Sequence, residues 1–294
     1  MSFSHDVKRE LLEHIDKHRD CRVAELAAIL LLVGAIDMEE PAIYMQTENQ
    51  ELAELYEHLV RMVLPKELEE GCHPFELKGE AAKELLTIMK WRNSNAVNGL
   101  LIQQEKCKKA FIRGAFLSTG SMSDPEKAYH FEIVCNFESQ AKQLQDVLKF
   151  FHLDAKIVSR KNHSVVYLKE GAQVSTALSV MEASISMMNF ENVRIVKEMR
   201  NSVNRSVNCE TANIKKTVNA AVRQVEAIEY IEKEVGLSSL PESLQVIAEI
   251  RLSHPETPLK ELGELLDPPV GKSGVNHRLR RIVEIADKLK LGGS

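Results

Sequence analysis

The segment from Pro258 to Leu289 constrains the fold more tightly than any other part of this chain. Pro258 to Leu266 (PLKELGELL) reads as a short helix, Asp267 to Gly274 (DPPVGKSG) as a turn rich in Pro and Gly, and Val275 to Leu289 as a second helix loaded with arginine. Along that second helix Val275, Leu279, Ile282, Ala286 and Leu289 recur at alternating steps of four and three, which is the apolar stripe of an amphipathic helix facing a core. Ser273 is the expected N-cap. Asn276, His277 and Arg280 then fall on the opposite side within the first two turns, with Arg278 and Arg281 at the flanks. Two helices joined by a Gly-bearing turn, the second one cationic, is the layout of a helix-turn-helix DNA reader. On this reading Ser273, Asn276, His277 and Arg280 meet base edges, and Lys272, Arg278 and Arg281 reach phosphates. The alternative is a solvated arginine face with no partner, which requires turn, stripe and charge to coincide by accident.

Whole-chain charge argues against nucleic acid, since the formal net charge is -5. Its distribution reverses the argument. Val193 to Arg223 carries seven basic and two acidic residues, Gln224 to Asp267 three against ten, and Lys272 to Lys290 six against two. Met1 to Asn192 holds the remaining 22 basic and 29 acidic residues. Phosphate attraction acts within a Debye length of about 8 Å, so patch charge decides and net charge does not. The acidic N-terminal part is a poor candidate for wrapping a duplex and a better one for assembly or contact with a protein partner.

Between Arg194 and Lys216 six cations (Arg194, Lys197, Arg200, Arg205, Lys215 and Lys216) are interleaved with Asn201, Ser202, Asn204, Asn208, Thr211 and Asn213. Such donors suit phosphate oxygens, and Arg200, Arg205, Lys215 and Lys216 are the expected backbone contacts; the same composition equally fits a polar interdomain linker. Thr211 to Gly236 reads as the first helix of a C-terminal domain, carrying Ala221, Val222, Val225, Ile228, Ile231 and Val235 inward. The expected division is a domain at 1–200 and a helical domain at 201–294, with its helix-turn-helix at about 258–290.

No stretch reads as a membrane span or signal peptide, because the longest apolar run, Leu26 to Ile36, is too short to cross a bilayer and Met1 to Ile15 is charged throughout. The expected location is therefore the cytoplasm, at the nucleoid. Five cysteines (Cys21, Cys72, Cys107, Cys135 and Cys209) stand at no metal-ligand or redox spacing and read as reduced thiols packed as small hydrophobes. There is no Gly-rich phosphate loop. His14 and His18, four apart on an expected N-terminal helix, lack a third ligand in the sequence. No cofactor and no metal are implied. Trp91 reads as a core anchor.

An internal repeat organises the N-terminal part. LAAILLLVG (Leu26 to Gly34) and IRGAFLSTG (Ile112 to Gly120) are helix-like runs with small residues near the start and a closing Gly, the two glycines 86 positions apart. After Gly34 come an extended segment, a strand-like Ala42 to Glu48, a helix from about Gln50 to Val63 and a strand-like Pro74 to Leu77. After Gly120 come a loop (Ser121 to Lys127), a strand-like Tyr129 to Asn136, a helix from about Ser139 to Phe151 and a hairpin (Ala155 to Ser159, Ser164 to Lys169). Small residues let two such helices pack as a seam between pseudo-symmetric halves; alternatively they are buried helices that happen to end in a Gly cap.

The two Gly-ended helices resemble the motif of the LAGLIDADG homing endonucleases, with Leu26, Ala27, Ala28 and Ile112, Arg113, Gly114 in its opening positions. Joined to NCETAN (Asn208 to Asn213) and the terminal KELGELLDPPVGKSGVNHRLRRI (Lys260 to Ile282), the duplicated domain is similar to the WhiA family of Gram-positive bacteria, regulators tied to cell division and sporulation. The terminal segment also resembles the DNA-reading region of sigma factors. The resemblance implies an α+β chain: a duplicated αββαββα domain, with repeats at about 20–100 and 105–195, followed by a small all-α helix-turn-helix domain. In the nucleases the residue before each closing Gly is acidic, and the pair binds the divalent ions of the reaction. Here Val33 and Thr119 hold those degenerate metal positions, and neither suits Mg²⁺, which prefers carboxylates and water. Asp37 and Asp124 lie beyond the expected helix ends and serve only if the motif is shifted.

The leading expectation is a sequence-specific, non-enzymatic regulator that binds double-stranded DNA. A metal-dependent endonuclease with unconventional ligands and a protein-interaction scaffold are the competing classes.

Overall fold

The computed structural model describes residues 2–64, 73–92 and 95–292. These form two compact units, Met1–Glu198 and Met199–Ser294.

The N-terminal unit opens with α1 (Phe3–Leu12) and then runs twice through one plan. The first repeat is α2 (Arg19–Val33), β1 (Gly34–Asp37), β2 (Ala42–Met45), α3 (Gln50–Val63), β3 (Glu76–Lys78) and α4 (Gly79–Ile88). The second is α5 (Glu105–Thr119), β4 (Gly120–Met122), β5 (Phe131–Cys135), α6 (Glu138–Phe150), β6 (Lys156–Arg160), β7 (His163–Leu168) and α7 (Gly171–Val180). Both sheets are antiparallel, in the orders β1-β2-β3 and β4-β5-β7-β6. Each starts at its closing glycine, Gly34 opposite Met45 and Gly120 opposite Ile133. Ser121 and Met122, expected in a loop, are therefore strand.

The seam is α2 against α5. Every residue of α2 from Val23 to Leu32 is buried, and so is α5 from Ala110 to Leu117. A helix apolar all round belongs inside, which is why these runs show no amphipathic stripe. Gly114 sets the approach: a Cβ there would lie 2.5 Å from the Glu25 carbonyl oxygen and 3.2 Å from the Ala28 Cβ. Cys21 and Cys107, 86 positions apart like the closing glycines, meet across the seam with their sulfurs 3.8 Å apart. The closing glycines themselves are not left-handed caps. Gly34 and Gly120 are extended (φ −95° and −76°), and they are small because a side chain would strike the preceding turn at Leu30 and Phe116.

Other local expectations change in the structure. His14 and His18 lie beyond the end of α1, not on it, and His18 precedes α2 as its N-cap residue. Trp91 is half-buried against the N-terminal core rather than inside it. Cys135 packs as expected, Cys209 stands exposed, and Cys72 lies outside the described residues.

A single helix, α8 (Ser184–Glu234), contains the donor-rich segment. The segment is helical throughout, and the helix begins at Ser184 instead of Thr211. The remaining α-helices are α9 (Glu242–Ser253), α10 (Leu259–Glu264) and α11 (Lys272–Gly292). The C-terminal core joins Ala227, Ile228 and Ile231 of α8 to Leu244, Ile247 and Ala248 of α9, Leu262 of α10, and Val275, Leu279, Ile282 and Ala286 of α11. Val222 and Val235, expected inward, are about half exposed at 50% and 47%, and Gln224 is buried in their stead. No described helix is long and apolar enough to cross a membrane.

Candidate nucleic-acid interface

The helix-turn-helix is set by a steric lock in its first helix. Gly263 accepts a backbone hydrogen bond from Val270 N (2.9 Å), and a Cβ on Gly263 would collide with the Val270 carbonyl oxygen. Glycine at 263 thus lets the turn fold back onto α10. The glycine that matters lies in the helix, since a Cβ on Gly271 in the turn meets nothing within 4 Å. Helix α11 starts at Lys272, so Ser273 is not its N-cap but sits in the first helical turn, where Val275 N donates to Gly271 O. Val275, Leu279, Ile282 and Ala286 are fully buried and fix the rotation of the helix.

That rotation leaves Ser273, Asn276, His277, Arg280 and Arg281 on one exposed face, together with Glu284. Arg280 has no acidic partner among the described residues. Arg281 leans on Glu284 at 3.3 Å, an exposed pair three residues apart that contributes little to stability. Lys272 is exposed at the start of the helix, while Arg278 is half-buried and turned from this face. Arg223 of α8 ties to Asp287 at 2.8 Å.

The donors of α8 are sorted by the helix itself. At about 100° per residue, Arg194, Lys197, Arg200, Asn201, Asn204, Arg205, Asn208, Lys215 and Lys216 fall within an arc of about 160°. Met199, Val203, Val207 and Ile214 occupy the other side. All residues from Glu198 to Ala220 are exposed. Of the cations, Arg194 is already held by Glu191 and Glu198, and Lys197 donates to the Pro125 and Glu126 carbonyl oxygens. Arg200, Arg205, Lys215 and Lys216 remain exposed, each without an acidic partner among the described residues.

At the ends of the seam helices the chemistry is different. Val33 is half-buried and offers only its backbone oxygen, which accepts from Gln46 N at 3.3 Å. Thr119 Oγ1 donates to the Val134 carbonyl oxygen at 2.7 Å. Asp37 accepts from the backbone N–H groups of Glu39 and Glu40, and Asp124 from that of Glu126, so both carboxylates cap turns. This donor set does not fit a divalent cation of the nuclease kind.

At the other end of the seam lies a network that sequence reasoning missed. Arg113 is fully buried and grips Glu25 with two bonds of 2.9 Å, and it reaches Glu182 at 2.9 Å. Glu182 adopts φ 71°, a left-handed conformation that non-glycine residues rarely occupy, and also takes His14 Nε2 at 2.9 Å. Burial pushes the Glu25 carboxyl above its ordinary range, opposed by the Arg113 guanidinium, and burial likewise lowers His14. The single signals were one acid and one arginine, each the lone charge in the buried stretch of its helix, Val23 to Leu32 and Ala110 to Leu117.

Two seam helices ending on paired sheets, with no carboxylate at the metal positions, followed by a cationic helix-turn-helix, define a class: a degenerate LAGLIDADG-type domain fused to a helix-turn-helix domain. Family models agree, matching the WhiA LAGLIDADG-like domain at residues 108–200 and the WhiA C-terminal HTH domain at residues 203–286. A relative named "Probable cell division protein WhiA" from Lachnoclostridium phytofermentans is 45% identical over 99% of this chain and 100% of its own length. Another of the same name from Thermoanaerobacter pseudethanolicus is 42% identical over 99% of this chain and 98% of its own. The crystal structure of full-length DUF199/WhiA from Thermatoga maritima is 25% identical, covers 98% of this chain and 99% of that one, and superposes with a TM-score of 0.59. The chain belongs to the WhiA family.

Proposed function

We propose that this chain is a sequence-specific regulator of double-stranded DNA, acting at the nucleoid in cell division, chromosome segregation or sporulation, without nuclease activity. The observation that carries the reading is the exposed face of α11, where Ser273, Asn276, His277 and Arg280 stand clear of the core at the start of the second helix of a helix-turn-helix. Asn and Arg are the side chains that pair bidentately with adenine and guanine in the major groove. Arg200, Arg205, Lys215 and Lys216 on α8, with Lys272 and Arg281, supply phosphate contacts; Arg278, half-buried, is the weakest member of that set. The names of the relatives support the cell-division role. Val33 and the committed Thr119 hydroxyl support the loss of cleavage, and the acidic N-terminal unit serves a protein partner.

The test uses the full chain on supercoiled plasmid and on short duplexes. With Mg²⁺ the plasmid stays intact, while duplex binding weakens steeply with salt. Nicking that vanishes on adding chelator and on Asp37→Ala or Asp124→Ala would return the chain to the nucleases. Salt-insensitive binding would point to a scaffold.

A further inference from the structure

From Met199 to Lys215, about 25 Å along the axis of α8, every residue is exposed, whichever side of the helix it occupies. Packing gives this stretch little support, and its Asn, Ser, Thr and Val residues are weak helix formers. A solvated helix face is ordinarily built from Glu, Lys, Arg and Gln, which favour the helix. Here the amides of Asn201, Asn204 and Asn208 take outward positions at a cost in helicity, and they make no hydrogen bond among the described residues.

The three amides are not scattered. At about 100° per residue, Asn201, Asn204, Asn208 and Ala212 fall within a strip about 80° wide. Arg205 and Lys216 border it on one side and Arg200 on the other, each exposed and without an acidic partner among the described residues. Between Met199 and Ala220 the one acidic residue is Glu210, on the opposite side of the helix from Asn201. A strip of amides between two cationic edges, with negative charge kept to the far side, is complementary to base edges lying between two phosphate strands. The steric match is equally close. An α-helix is about 10–12 Å across and the major groove about 12 Å wide, so only a helix with no neighbour along its flanks sinks into the groove over several turns.

We propose that the middle of α8 lies in the major groove and reads bases there, Asn204 and Asn208 each pairing bidentately with the N6 and N7 of an adenine. Asn201 and Ala212 lie over the neighbouring pairs, where an alanine suits a thymine methyl. Arg200, Arg205 and Lys216 hold the phosphates on either side. This role for α8 rests on the DNA-binding reading and goes beyond it, since that reading gives α8 sequence-blind backbone contacts alone. Lys216 and Asn276 line one groove of the C-terminal unit, so the bases read by α8 adjoin those met by α11 on one duplex.

The test starts from a duplex that the full chain selects from a random-sequence pool, titrated beside all of its single-base-pair substitutions. Replacing Asn by Ala favours an exposed helix and leaves charge unchanged, so a loss in the double variant Asn204→Ala with Asn208→Ala reports base contacts and not unfolding. In that variant two A·T positions, distinct from those that respond to Arg280→Ala, are expected to lose about tenfold of discrimination each. Affinity for a scrambled duplex, and the slope of log affinity against log salt, should stay as they were. Replacing N7 of the same two adenines by C–H should weaken the wild-type chain about tenfold and leave the double variant unaffected. A double variant that discriminates like the wild type, or one weakened equally on selected and scrambled duplexes, would overturn base reading by α8 and leave DNA binding through α11 intact. A full chain that bound no duplex would sink the DNA-binding reading and, with it, this role.

Discussion

Two arginines, Arg113 of the N-terminal unit and Arg280 of the C-terminal unit, are treated in opposite ways. In the N-terminal unit Arg113 is sealed inside the seam, with Glu25 on one side and Glu182 on the other. In the C-terminal unit Arg280 stands on the outer face of α11, its helix held by four fully buried apolar residues and its guanidinium committed to nothing among the described residues. A cation already satisfied by its own fold has no free energy left for a ligand, and an exposed one does. The seam keeps the duplicated architecture while its polar groups are spent on structure; on α11, Arg280 keeps its donors free.

The comparison breaks first at Arg113. Replacing it by Met leaves Glu25 buried and unpaired, which should cost about 3–5 kcal/mol. Denaturant unfolding followed by the fluorescence of Trp91, the single tryptophan, reads this in the N-terminal unit. The double variant Arg113→Met with Glu25→Met should recover most of the loss, because two apolar side chains can fill the place of a buried pair. A double variant as unstable as the single one would show that Glu182 and His14, not Glu25, carry the network.

High pH separates the units next. Burial pushes the Cys21 and Cys135 thiols from 9.0 up to about 12, so the folded state holds these protons more tightly than the unfolded chain. The sign follows: their contribution is present in full below about pH 9 and is lost as pH rises from 9 toward 12. Cys209 of the C-terminal unit is exposed and brings no such burial. Trp91-detected stability should therefore fall above pH 9, and Cys21→Ala with Cys135→Ala should flatten that fall. An unaltered slope in the double variant would assign the alkaline loss to other groups.

What the sequence conveyed follows from the range of the forces involved. The stripe of α11 was legible because burial repeats every three or four residues, and Gln50 to Val63 was bounded correctly because Asn49 caps it by accepting from Glu51 N and Leu52 N. The reach of α8 was hidden, since its exposed middle is built from Asn, Thr, Ser and Val, weak helix formers with no core stripe to reveal the period. Its C-terminal part was misrotated for a related reason: valines on both sides of Ile228 and Ile231 offered two apolar arcs, and packing against α9 and α11 selected the one containing Gln224 and Ala227. The Arg113–Glu25 pair spans 88 positions, so the sequence shows each partner only as a lone charge in an apolar run and not the pairing. On the candidate interface, Asn276, His277 and Arg280 were placed by rotation alone, whereas the steric role of Gly263 depends on a turn whose path no spacing encodes.

Within the C-terminal unit the comparison sharpens further. Arg280→Ala removes an exposed, unpaired guanidinium from the proposed base-facing side of α11, and should cost about 1–3 kcal/mol, unequally across target sequences. Titrating matched and scrambled duplexes reads this directly. Equal losses on both would move Arg280 to the backbone and require the face to be redrawn around Ser273 and Asn276.

The smallest effect is the most diagnostic of division of labour on α8. Lys215 is exposed on the cationic arc of α8, without an acidic partner among the described residues and outside α11. A phosphate contact of this kind releases condensed counterions whatever the base sequence, so Lys215→Ala should weaken matched and scrambled duplexes alike and reduce the slope of log affinity against log salt by about 0.9. Arg194→Ala is the internal control, because that guanidinium is already bound by Glu191 and Glu198. Its salt slope should stay unchanged. If Arg194→Ala lowered the slope as much as Lys215→Ala, pairing within the helix would not keep a cation from DNA, and the distinction between committed and free cations would lose its predictive value on α8.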